Sequence, residues 1–220
     1  PQTFFLLEYF KYFVLKANSI LIYNFISDHI VVSSSLMEYV KKFRVFKKSC
    51  KFYIIPCTDL DLKNNILVNN TPKLPFKFIY TGSDAPWQCL NETLSLFKEI
   101  SKNFPSELVL LISNPNYSIP KEFIDLPISK FSVPAEEVSD YLEKSDFAFL
   151  IRKSDITNKV AYPNKFYDYI SHGLPVITTN AIDDIYFAVN KFSLGAVIDL
   201  ENFLPESIIS SCLSSLTENN

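Results

Sequence analysis

From residue 76 onward the chain is punctuated by six short strand-like segments, at 76–81, 108–113, 129–133, 147–151, 176–179 and 196–198, all but the third mainly apolar. Each is about the length of one strand, and most are continuous rather than alternating in polarity. Between them lie stretches of helical spacing at about 90–103, 135–144, 165–172 and 184–190, and another follows at 206–216. A strand that is apolar on both sides has to be covered on both sides, and strands separated by helices cross over to pair in parallel. The pattern therefore predicts the α/β class: a parallel sheet with helices on both faces.

The first part of the chain is organised differently. Residues 3–26 are dense in Phe, Leu, Tyr and Ile, but Glu8, Lys11 and Lys16 break the run, so no uncharged stretch reaches the roughly 20 residues a bilayer requires. This reads as a buried or interface helix, with a membrane-surface helix as the alternative. A strand at 29–32, a helix over 36–43 capped by the serines at 33–35, and a strand at 52–55 stopped by Pro56 come next. Residues 58–75 hold Asp, Asn, Lys and Pro without periodicity and read as a linker, which gives segments 1–57, 58–75 and 76–220. The sequence opens on Pro1 without a signal-peptide pattern, so we expect a piece of a longer chain.

Composition removes several function classes. With 48% hydrophobic and 20% charged residues the chain builds a real core, and its net charge of −3 offers no basic field for nucleic acid. Cys50, Cys57, Cys89 and Cys212 form no C-x-x-C pair and the two histidines, His29 and His172, are far apart, so no metal site is expected and the thiols read as free and reduced. No G-x-G-x-x-G and no P-loop lysine motif follows a strand. There are three glycines where average usage would supply about fifteen, so each is expected where the backbone leaves little choice.

Open sheets of this kind bind ligands outside the carboxyl ends of their strands. That rule selects the loops after Thr81, after Ile151, before Lys165 and after Thr179. In the stretch NKVAYPNKFYDYISHGLPV, residues 158–176, Asn164 is a suitable N-cap and Gly173-Leu174-Pro175 a stop, so 165–172 reads as a short helix. Lys165, Asp168 and His172 fall at i, i+3 and i+7 on one face, with Phe166, Tyr169 and Ile170 on the other. A cation and a carboxylate near a helix N-terminus suit a ligand bearing both phosphate and hydroxyl groups; an ordinary surface ion pair is the plain alternative. Arg152 directly follows the strand 147–151 and is expected to bind diphosphate oxygens with Lys165, with Lys159 a poorer third. Lys153 reads as a solvated strand-end charge, and Asn158 could hydrogen-bond a sugar hydroxyl.

The pattern P-x-K-x-x-[DE]-Y-x-x-x-G-x-P-V-I, here Pro163, Lys165, Asp168, Tyr169, Gly173, Pro175, Val176 and Ile177, resembles the donor-site signature of GT-B glycosyltransferases of the family 4 type. The segment Tyr80, Gly82, Ser83, Trp87, Gln88 resembles a Y-x-G-S…W-Q-G stretch of one branch, with Cys89 replacing the last Gly. The resemblance covers about 28–198 and implies a Rossmann-like sheet, the C-terminal half of a GT-B fold, joined to the end of an N-terminal acceptor domain. It implies that Asp168 binds the nucleotide ribose and that the helix N-terminus at Asn164 and Lys165 faces the diphosphate; from the loops selected above, Gly82, Ser83, Arg152, Asn158 and Lys159 are further candidates to surround the donor.

Where many relatives carry Arg and Lys after the first strand, this chain has Ser83 and Gln88, and Val160 stands where they carry a Glu. What the resemblance implies for activity is transfer of a sugar from a nucleotide diphosphate to a glycan or lipid-linked acceptor, with retention, in surface polysaccharide synthesis. It implies neither cofactor nor metal, and a cytoplasmic protein with or without peripheral contact at the inner face of a membrane. The isolated chain is expected to bind nucleotide with little activity. The competing expectations are a sugar-nucleotide 2-epimerase and a degenerate binding module of the same fold. A receiver-type signalling domain lacks its acidic cluster, since Thr81-Gly82 and Val133-Pro134 occupy those positions.

Overall fold

The structure, a computed structural model, describes residues 2–42, 50–58 and 72–218. Most of the expected linker at 58–75 lies outside the described residues. Contacts divide the chain into two units, Pro1–Pro56 and Cys57–Asn220.

The first unit contains helix α1 (Gln2–Phe25), strand β1 (Asp28–Val31), helix α2 (Ser34–Lys42) and strand β2 (Lys51–Ile54). β1 pairs in parallel with β2, Asp28 opposite Lys51 through Val31 opposite Ile54. His29 is buried and stacks on Phe52 at 4.9 Å between ring centroids. The serine cap is present: Ser33 Oγ accepts the Leu36 N–H at 2.9 Å. Of the readings of α1, the buried helix is corrected, and the interface and membrane-surface helices stay open. Of its described side chains only Asn24 is buried, while Phe10, Phe13, Leu15 and Phe25 are each about two-thirds exposed, at 66–67%. Among the described side chains of α1, those that are buried or half-buried lie between Ala17 and Asn24. No helix among the described residues is long and apolar enough to cross a membrane.

The second unit is built on β3 (Phe76–Gly82), α3 (Leu90–Asn103), β4 (Ser106–Ile112), β5 (Ile128–Phe131), α4 (Val138–Leu142) and β6 (Phe147–Leu150). It continues with α5 (Ile156–Val160), α6 (Asn164–Ser171), β7 (Val176–Thr179), α7 (Asp183–Lys191), β8 (Gly195–Ile198) and α8 (Pro205–Glu218). The strands form one six-stranded sheet in the order β5-β4-β3-β6-β7-β8, and every pair is parallel.

Alternate residues of the central strands supply two cores. On one face Phe78, Phe147, Phe149 and Ile177 pack with Leu94 and Phe97 of α3 and Ile209 and Cys212 of α8. On the other, Ile79, Ala148, Leu150 and Val176 pack with Phe166 and Tyr169 of α6 and Ile185 of α7. Phe78 stacks on Phe149 at 5.2 Å, and each such fully buried ring stabilises the fold by about 1.5–3 kcal/mol. Double-sided burial is why these strands read as unbroken apolar runs.

β8 approaches β7 so closely that a Cβ built on Gly195, at φ +142°, would stand 2.3 Å from the Val176 carbonyl oxygen. Only glycine fits there.

Three details depart from expectation. The helix anticipated over 135–144 opens as a 3-10 turn, Ala135–Glu137, after Pro134, with the Glu137 N–H bonded to the Pro134 carbonyl, before α4 begins. A short helix not foreseen, α5, forms where Asp155 accepts the Asn158 N–H at 2.9 Å. Asn164 is not the N-cap of α6: the extended Pro163 holds that position, and Asn164 is the first helical residue, exposed and without a capping bond.

The first three strands run outward from β3 in one direction and the last three from β6 in the other. The crevice beyond the carboxyl ends of β3 and β6 is the switch point, where open α/β sheets place their ligands.

Candidate functional site

At the end of β3 the Thr81 N–H is 2.9 Å from the hydroxyl of Tyr169, whose ring is buried in α6. Thr81 Oγ1 lies 3.0 Å from the same hydroxyl. This leaves the Thr81 carbonyl as an acceptor for Lys165 Nζ at 3.0 Å. The Lys165 ammonium lies over the Tyr80 ring, 4.4 Å from its centroid, and the Tyr80 hydroxyl donates to the Ser83 carbonyl at 2.8 Å.

From the end of β6 comes Arg152, fastened through its backbone to β7. Its N–H donates to Thr179 Oγ1 at 3.2 Å and its carbonyl accepts from the same hydroxyl at 2.6 Å. The guanidinium donates from Nη1 to the carbonyls of Ile151 at 2.9 Å and Gln88 at 3.2 Å, and from Nη2 to Gln88 Oε1 at 2.8 Å. Gln88 Oε1 also accepts from Lys165 Nζ at 2.9 Å. The ends of β3, β6 and β7, the turn at Gln88 and the start of α6 thus meet at one place.

The electrostatics of that place are uneven. Lys165 is 8% exposed and Arg152 4%, and neither has a carboxylate within ion-pair distance among the described residues. Burial, and secondarily the Arg152 charge, hold the Lys165 ammonium well below its ordinary range. Burial also lowers the Arg152 guanidinium and raises the phenols of Tyr80 and Tyr169, the latter to about 12. Two buried cations sharing a neutral acceptor favour an anion with at least two oxygens, for which the arginine fork is shaped. Gly82, at φ +148°, forms one wall: a Cβ there would lie 3.3 Å from Gln88 Oε1 and 3.4 Å from Lys165 Nζ.

Asp168 is half-buried one turn along α6 from Lys165, and its carbonyl accepts from Ser171 Oγ at 3.0 Å. His172 Nδ1 is 2.7 Å from that same carbonyl and so donates to it, and its Nε2 is 2.6 Å from Ser139 Oγ, a packing role at the end of α6.

Other expected residues stand differently. The polar face assigned to Lys165 is corrected, because its side chain runs beneath the end of β3 rather than into solvent. Lys159 faces Asp183 at 3.7 Å. Asn158 is buried, its Nδ2 donating to the Lys153 carbonyl at 2.8 Å and Asp155 Oδ2 at 2.6 Å, so its amide protons serve the α5 turn. Lys153 pairs with Glu92. Ser83 Oγ accepts weakly from the Ala85 N–H at 3.4 Å. Sequence reasoning overlooked Gln88 as a hub, Tyr169 as the group that turns Thr81, and Thr179 as the anchor of Arg152. A cavity of about 410 Å³ lined by Lys73, Lys77 and Asp146 opens at the opposite, amino end of the sheet, where no pair of cations shares an acceptor.

No protein-family model matches the chain, and no curated protein does. Solved structures do match. WaaG, a glycosyltransferase involved in lipopolysaccharide biosynthesis, superposes with a TM-score of 0.57 at 16% identity, covering 86% of this chain and 53% of its own. AviGT4, a glycosyltransferase involved in avilamycin A biosynthesis, gives 0.54 at 13%, covering 86% and 57%. A trehalose-6-phosphate protein from E. coli bound with UDP-2-fluoro glucose gives 0.57 at 10%, covering 87% and 56%. The chain therefore spans 53–57% of the length of these structures. At such identities the likeness is one of architecture: the six-stranded sheet with its flanking helices matches the Rossmann-like half of GT-B glycosyltransferases.

Proposed function

We propose that the unit Cys57–Asn220 binds a nucleotide-diphosphate sugar and is the donor-binding part of a glycosyltransferase. The observation that carries this reading is the pair of buried cations, Lys165 and Arg152, converging on one oxygen without a carboxylate partner. A diphosphate supplies the missing negative charge. As the sugar leaves it, charge accumulates on its oxygens, and the two cations and the amino end of α6 stabilise that charge. Asp168, one turn further on, accepts hydrogen bonds from the ribose hydroxyls. The donor is a substrate, and no cofactor or metal enters the scheme. Assignment to the family 4 type, retention at the anomeric carbon, a glycan or lipid-linked acceptor, a role in polysaccharide synthesis and a cytoplasmic setting belong to the same proposal. They rest on the Pro163-to-Ile177 signature. The isolated chain binds donor with little transfer, the acceptor site lying outside it.

Calorimetric titration of uridine, guanosine and adenosine diphosphate sugars tests the reading. One donor binds, Lys165→Ala and Arg152→Ala each weaken it about tenfold or more, and Asp168→Asn weakens the nucleotide while leaving inorganic pyrophosphate unchanged. Binding that none of the three substitutions alters would overturn it.

A further inference from the structure

Gln88 occupies the position in which the site's own chemistry calls for an anion. Its Oε1 takes one hydrogen bond from Arg152 Nη2 at 2.8 Å and one from Lys165 Nζ at 2.9 Å, and its backbone carbonyl takes a third from Arg152 Nη1 at 3.2 Å. Arg152 thus clamps two oxygens of one residue in the bidentate manner in which it would clamp two phosphoryl oxygens. Oε1 also lies against the bare Cα of Gly82, where an added Cβ would be 3.3 Å away. The residue sits in a 3-10 turn, Pro86–Gln88, at the protein surface, half-buried itself while the cations beneath it are almost fully covered.

We infer that Gln88 is an internal stand-in for a phosphoryl oxygen, and that a diphosphate binds by displacing its side chain from Arg152 and Lys165. The inference rests on the donor-site reading above. A neutral amide satisfies both donors but cancels neither charge, so it keeps the cations ordered and dry without competing as a carboxylate would. The chain therefore gives up two hydrogen bonds before it gains two ion pairs, a cost equal for every displacing anion that the two charges of a diphosphate offset more readily than one charge does. An arriving anion raises the proton affinity that burial lowers at Lys165, so binding takes up protons wherever the free ammonium is partly dissociated.

The test titrates inorganic pyrophosphate and UDP into the full chain and its Gln88→Met, Gln88→Glu and Arg152→Ala variants, with folding checked by circular dichroism. Methionine keeps the length and loses the acceptor, so Gln88→Met binds pyrophosphate on the order of tenfold tighter than the wild type, the size of a charge-assisted hydrogen bond no longer surrendered. Gln88→Glu, whose carboxylate pairs with both cations, binds more weakly. Gln88→Ala replaces the methionine variant if that one does not fold. If removing the amide leaves affinity unchanged or lowers it while Arg152→Ala abolishes binding, the anion site stands and the displacement is refuted. If Arg152→Ala binds as the wild type does, or none of the proteins binds either probe, the donor-site reading fails and the displacement with it.

Discussion

Lys165→Met separates what this lysine costs the fold from what it gives the site. In the folded protein burial and Arg152 depress its proton affinity, whereas in the unfolded chain it titrates near the ordinary ammonium value of about 10.4. Between the depressed value and that one, the unfolded state binds more protons, so the lysine's contribution makes stability rise with pH across this window. Below the window the full penalty is present, and above it the penalty is gone. The largest slope one such group can produce is about 1.36 kcal/mol per pH unit.

Tyr80 and Tyr169, both raised by burial, act in the opposite sense at high pH, so the informative quantity is the difference between the two proteins rather than either curve. Methionine also removes the donor to the Thr81 carbonyl, an offset of about 1–3 kcal/mol that does not vary with pH. Urea unfolding followed by circular dichroism from pH 7 to 10 measures the difference. Wild-type stability climbs relative to Lys165→Met as pH rises, and saturating pyrophosphate flattens that climb. A difference that stays constant with pH would show that Lys165 is not held as a buried cation without a carboxylate beside it.

Two further substitutions probe the scaffold. Gly195→Ala forces a methyl group to 2.3 Å from the Val176 carbonyl and costs about 3 kcal/mol or more, a fall in melting temperature of roughly 6–12 °C by thermal scan; an unshifted transition would mean that β8 does not lie so close to β7. Tyr169→Phe leaves the Thr81 N–H without its acceptor, lowering stability by about 1–3 kcal/mol in urea. It also weakens pyrophosphate binding, because the Thr81 carbonyl that steadies Lys165 moves with it; retained affinity alongside lost stability would refute that link.

The inner strands were legible because double-sided burial writes itself directly into composition: Phe78 through Tyr80 and Phe147 through Ile151 have no room for polar residues. The order of elements followed from the same signal. α5 was not legible, since Ile156 to Val160 is too short to show a period and its cause is a cap by Asp155. The setting of Lys165 was misread because helical spacing assigns faces by Cα position, whereas a long side chain can reach beneath a neighbouring strand. Gln88 appeared in the sequence only as a missing charge. Its partners, Arg152 and Lys165, stand 64 and 77 positions away, and no local pattern announces a convergence over that distance. From its residues alone α1 reads as a buried or interface helix, yet what covers a helix is a property of its surroundings.

The switch between β3 and β6 makes the cation cluster a late product of folding. Thr81 meets Lys165 across 84 positions, so neither half of the sheet can assemble the cluster alone, and loop-closure entropy has been spent before the two charges are brought together. An anion held there acts as a rivet between the halves, and its effect on hydrogen exchange is greatest at the β3 and β6 amides rather than at the periphery of the sheet.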